Sequence, residues 1–153
     1  MKKIITLVLG GAILMGTVAC NAKTSADAPN STENTGEVPT TKTTESAQND
    51  AGSKVRKDQL NSDIRAREQR NNITGGDATR ANSDLSSEVR SKLEASIPNG
   101  NLTVAAKDGA VVVSGTVQAQ NQLDKIEPLA KQIKGVSSVK VAAKVAPAVM
   151  EKK

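Results

Sequence analysis

Four apolar residues at four-residue spacing, Leu85, Val89, Leu93 and Ile97, mark the most regular stretch of the chain and predict a helix with one buried stripe. Asn82 or Ser83 is placed to cap it, Asp84 suits its positive end, and Pro98-Asn99-Gly100 stops it. The period then falls to two. Leu102, Val104 and Ala106 share one face of a strand, and Val111, Val113 and Gly115 share one face of the next, with Asp108-Gly109 between them as a hairpin turn. Helical spacing returns with Leu123, Ile126, Ala130 and Ile133, over about Gln120 to Lys134, and Gly135 supplies the stop. Pro128 allows two starts for this helix. With Asp124 as N-cap it falls in the first turns, whereas a start near Gln120 makes it an interior kink. Val139, Val141, Ala143 and Val145 then alternate with Lys140 and Lys144, a third strand that Pro147 ends.

Every strand so defined has one mainly apolar face and each helix one apolar stripe, which demands helices layered on a sheet. The order helix, hairpin, helix, strand (αββαβ), with Asp108-Gly109-Ala110-Val111-Val112-Val113-Ser114-Gly115 and Gly135-Val136-Ser137-Ser138-Val139, resembles the BON domain, named for bacterial osmotically inducible and nodulation proteins. The resemblance covers residues 82–146 and leaves 147–153 as a tail. It implies an α+β, two-layer fold with two helices on a three-stranded mixed sheet. It also implies that Gly109, Gly115, Gly135 and Val136 are structural, and that the domain is a non-enzymatic envelope module associated with phospholipid or with membranes under osmotic stress.

The other half of the chain has a different grammar. Lys2 and Lys3 precede an apolar run from Ile4 to Leu14 that ends in Met15-Gly16-Thr17-Val18-Ala19-Cys20. This is the three-part form of a secretory signal, here residues 1–19, and the run is shorter than the ~20 residues a bilayer-spanning helix needs. Thr17-Val18-Ala19-Cys20 resembles the lipobox of bacterial lipoproteins, in which the cysteine is acylated and becomes the first residue. Cys20 is the only cysteine, so no intramolecular disulfide is available to it. Asn21 after it, in place of Asp, resembles lipoproteins sent to the periplasmic face of an outer membrane. Residues 20–53 are nearly devoid of large apolar side chains and are expected to form a disordered tether. Residues 54–81 read as a charged linker with one marginal helix around Val55, Leu60 and Ile64.

Composition narrows the chemistry. The 153 residues include no Phe, Trp, Tyr or His, and the net charge is +5. Without aromatic faces for stacking, nucleic acid is not an expected partner. Without histidine, the commonest metal ligand and general base is missing, and no cofactor, metal site or catalytic group is expected. The expected partners are a membrane, reached through the lipid on Cys20, and anionic phospholipid or envelope proteins. Arg90 and Lys92 on the first helix and Lys131 and Lys134 on the second are the candidate headgroup contacts. The competing reading is a structural protein that acts by self-association or protein association, with no lipid contact by the domain.

Overall fold

The computed structural model describes residues 21–74 and 81–150. Its elements are β1 (Asn21–Lys23), α1 (Thr41–Gly52), α2 (Lys54–Thr74), α3 (Asn82–Ser96), β2 (Asn101–Lys107), β3 (Ala110–Val117), α4 (Gln120–Lys131), β4 (Ser138–Val141) and β5 (Lys144–Val145). The fold is α+β, with a mixed sheet in the order β1-β2-β3-β4 and with β5 also beside β3.

The β2–β3 hairpin is built as its sequence requires. Asp108 and Gly109 both have positive φ, 50° and 81°, the combination a two-residue turn of the I′ type demands. Seven antiparallel pairs follow, from Lys107↔Ala110 to Asn101↔Thr116. This register puts Leu102, Val104 and Ala106 on the same face as Val111 and Val113, where Leu85, Val89, Leu93 and Ile97 of α3 and Ile126 and Ala130 of α4 complete the core. β4 and β5 run parallel to β3 in one continuous register, Ala110↔Ser138 to Val117↔Val145. Between them the Ala142 amide donates to the Val113 carbonyl at 2.7 Å, and Ala143 enters the core.

Three details differ from the sequence expectation, and one choice it left open, the start of α4, is settled. The N-cap of α3 is Ala81, without a side-chain bond, because the Oδ1 of Asn82 instead accepts from the Asp108 amide at 2.8 Å. That bond ties the start of the helix to the hairpin turn. α4 begins at Gln120 with Pro128 inside it, so the amide that would reach the Asp124 carbonyl is missing. α2 is a helix of 21 residues, longer than the short marginal helix expected there. Lastly, the stretch from Asn21 to Ser53, expected as a disordered tether, carries β1 and α1 and widens the sheet by a strand.

The physical reason for that last correction lies on the sheet face away from the helices. There β2 and β3 present Asn101, Thr103, Ser114 and Thr116, all buried although polar or small. The chain between β1 and α1 crosses this face as a strap. Thr103 Oγ1 donates to the Pro29 carbonyl and Ser114 Oγ to the Asn34 carbonyl. At its start the Thr24 hydroxyl accepts from the Leu102 amide at 2.8 Å and donates to the Gly100 carbonyl at 2.8 Å. At its end Thr41 and Val149 are joined by an amide–carbonyl bond of 3.0 Å. Order here comes from hydroxyl and backbone hydrogen bonds, so a search for large apolar residues does not detect it.

Gly115 shows how tight the hairpin is. Its φ is +121°, and a Cβ there would lie 2.0 Å from the Asn101 carbonyl oxygen. Gly115→Ala is expected to destabilise by more than about 3 kcal/mol, combining strain and overpacking. Gly52→Ala meets no atom within 4 Å at the end of α1 and should be neutral or stabilising by up to ~1 kcal/mol. Urea unfolding of the two variants checks the contrast, and equal effects would contradict it.

Candidate functional site

The residues that carry charge into the interior lie where α2 packs on α3. On α2 the inward positions Arg56, Leu60, Asp63, Arg67 and Asn71 recur at spacings of three and four, which places them along one side of the helix. Leu60 is buried and Ile64 packs beside the core, but the rest of this side is polar. It meets a polar side of α3 formed by Asp84, Glu88, Ser91 and Glu94, of which Glu88, Ser91 and Glu94 are buried.

Glu94 is the centre of this seam. Its side chain is 3% exposed and is clasped by two guanidinium groups, Arg56 Nε donating at 2.7 Å and Arg90 Nη1 at 2.7 Å. Asp63 accepts from Arg67 at 3.1 Å and from the Ser91 hydroxyl at 3.3 Å. Arg67 and Arg70 reach Asp84 at 2.7 and 3.3 Å. At the other end, Asn71 Nδ2 donates to Glu88 Oε1 at 3.4 Å. The hydrogen bond to Glu94, supported by its charge, holds the Arg56 pKa above the usual arginine value. For Arg67 burial pulls the other way, and the bonds and charges of Asp63 and Asp84 outweigh it, so its pKa is also raised. Both groups are permanently charged, and the seam holds fixed positive charge against carboxylates.

This arrangement redistributes the cations singled out in the sequence. Arg90 is not a free surface cation, because Glu94 holds it and Asp63 lies 3.9 Å away. Lys92 is half-buried on α3. Lys131 pairs with Glu127 at 2.6 Å on the exposed side of α4, and Lys134 is exposed just before the Gly135 turn. These four therefore do not act as one surface: Arg90 faces α2, whereas Lys131 and Lys134 sit at the end of α4. Cys20 lies outside the described residues. Gly109 and Gly135 have φ of +81° and +87°, and a Cβ on Gly109 would lie 3.0 Å from the Gly135 carbonyl oxygen and 2.9 Å from Ser137 Oγ. The Ser137 amide donates to the Gly109 carbonyl at 2.8 Å, and Val136 packs against the core.

The carboxylate side of the seam was absent from the sequence expectations. The opposing α2 side carries a signal of its own, since Arg56, Leu60, Asp63, Arg67 and Asn71 have the three-four spacing of a packed helix side once polar residues are admitted to the pattern.

Replacing Glu94 with Gln leaves two guanidinium groups without their charge partner in a half-buried site. Glu94→Gln is expected to cost about 1–3 kcal/mol. Glu127→Gln, which breaks an ion pair more than half exposed on both sides, should cost under about 0.5 kcal/mol. Urea midpoints measured at low and high salt test this, and equal losses for the two variants would contradict it.

A family model described as BON domain matches residues 81–147. Osmotically-inducible protein Y of Escherichia coli (strain K12) is 45% identical over 56 residues, a match that covers 35% of this chain and 28% of that protein. The chain thus aligns with less than a third of this relative's length. No solved structure gives a match. The matched residues begin at the N-cap of α3, run through the Asp108-Gly109 hairpin and α4, and end just after β5, so that part of the chain is a BON domain.

Proposed function

We propose that this is an exported envelope lipoprotein, acylated at Cys20, whose BON domain serves as a non-enzymatic binding module supporting the envelope under osmotic stress. The observation that carries the stress and envelope assignment is the BON domain over residues 81–147 together with its identity to osmotically-inducible protein Y. Acylation is supported by the charged, apolar and small-residue sequence leading to the sole cysteine, and two or more acyl chains hold a protein stably on a bilayer. The absence of His and the structural roles of the motif glycines support a binding role over catalysis. The ligand class we favour is anionic phospholipid at the bilayer that carries the anchor. The sequestration of Arg90 and the pairing of Lys131 favour, as a second reading, association with an envelope protein instead.

Intact mass of the membrane-extracted protein should show a chain beginning at Cys20 with acyl mass added, and Cys20→Ser should shift the protein to the soluble fraction. An unacylated mass would overturn the anchor. Flotation of the Cys20→Ser chain with phosphatidylglycerol vesicles at low salt should recover it in the lipid layer, and recovery no better than with phosphatidylcholine would favour the protein-association reading.

A further inference from the structure

The position of β1 fixes where the acyl chains leave the fold. β1 begins at Asn21, the residue covalently attached to Cys20, and Asn21 is already paired with Ala105. One residue step is ~3.8 Å, so while β1 is paired there is no tether between the acylated residue and the sheet. β1 is antiparallel to β2, and its register runs Lys23↔Thr103, Ala22↔Val104, Asn21↔Ala105. Followed toward its N-terminus, the strand therefore leaves the sheet at the end that carries the Asp108-Gly109 turn. Thr24 pins this exit direction through its hydroxyl bonds to Leu102 and Gly100 and an amide bond to the Leu102 carbonyl at 2.8 Å.

Three exposed lysines belong to that end. Asn21, Ala105, Val112 and Lys140 form one row across the sheet, so Lys140 is level with the residue next to the anchor. Lys107 lies two pairs nearer the turn, opposite Ala110. Lys134 immediately precedes Gly135, which touches Gly109 in the same turn. Asp108 lies in the turn itself, and Asp84 in the first turn of α3 is held by Arg67 and Arg70. Lys144, by contrast, is level with Thr116 and Asn101, four residues or ~13 Å further along the strands.

We infer that the β1 clip docks the domain with its hairpin-turn end against the bilayer and presents Lys107, Lys134 and Lys140 to anionic headgroups. This inference rests on acylation of Cys20. It names a contact surface different from the α3 cations and gives β1 a role as an orienting clip. Surface cations near anionic lipid gain from the negative surface potential, which falls off within a Debye length of ~8–10 Å, so the Lys144 row lies beyond its strongest range.

The test uses the full acylated protein, with acylation verified by intact mass, in vesicles of phosphatidylethanolamine and phosphatidylglycerol. Lysine reactivity toward a water-soluble amine reagent is read residue by residue and compared with the same protein in neutral detergent. Labelling of Lys107, Lys134 and Lys140 should slow about fivefold, with Lys144 and Lys92 little changed. Replacing Thr24 with Pro removes both its amide and its hydroxyl, and should return the three lysines to the detergent rate while the acyl mass and cooperative urea unfolding persist. Uniform labelling of the acylated wild-type protein would overturn the docking orientation while leaving the anchor intact. Retained protection in a folded Thr24→Pro variant would overturn the role of β1. A wild-type mass without acyl groups would overturn the inference together with the anchor on which it rests.

Discussion

The register of the β2–β3 hairpin is the constraint on which the other contacts depend. A turn with two positive φ angles fixes Lys107 opposite Ala110, and because strand side chains alternate, every later pair inherits that choice. A slip of one residue would carry Leu102, Val104, Val111 and Val113 away from α3 and α4, and would separate Gly115 from the Asn101 carbonyl it is shaped to pass. β4 and β5 take their register from β3, and β1 takes its own from β2. The same turn receives Asn82 from the start of α3 and the Gly135 corner from the end of α4. Local turn chemistry thus settles the positions of both helices and both sheet edges.

Around this unit the chain adds two layers held by different physics. α2 lies on α3 through a seam in which Glu94, Asp63 and Asp84 are matched to four arginines, with Leu60 the one fully buried large apolar residue of α2. Half-buried ion pairs fix position better than they add stability, because desolvation offsets much of their attraction. The strap over the opposite face uses hydroxyl-to-carbonyl bonds and small residues such as Ala28. Each such bond contributes about 0.5–1.5 kcal/mol net, so the strap is held by several modest contacts and not by an apolar core.

That difference explains what could be read from the sequence. The apolar periodicities of Leu85 to Ile97, Leu102 to Val117 and Leu123 to Ile133 were sufficient for the α+β core, because burial of large side chains dominates there. The α3 cap was misplaced because Asn82 has two possible partners, its own helix and the hairpin turn, and only tertiary structure chooses between them. β1 and α1 were illegible for a stronger reason. Thr24, Thr103 and Ser114 look like ordinary polar positions until the carbonyls they meet, some seventy to eighty residues away in the chain, are in place. Of the lysines in the proposed contact surface, Lys134 is a candidate on charge alone, whereas Lys107 and Lys140 become candidates only through the row that joins them to Asn21.

The strap also changes what an anchor at Cys20 would accomplish. A flexible tether of thirty residues would let the domain sample distances of roughly 30 Å from the bilayer with no preferred orientation. A clip that begins one residue after an acylated Cys20 would instead fix both distance and orientation, and would convert the lipid from a leash into a hinge point. The two geometries are separated only by β1 pairing and the hydroxyl bonds of the strap, contacts that each draw one partner from outside residues 81–147. Releasing them would leave the hairpin, its glycines and the core of α3 and α4 in place, because none of the core residues belongs to the strap. Reach and orientation can therefore be altered without unfolding the BON domain, and the polar character of the strap is what keeps the two properties independent.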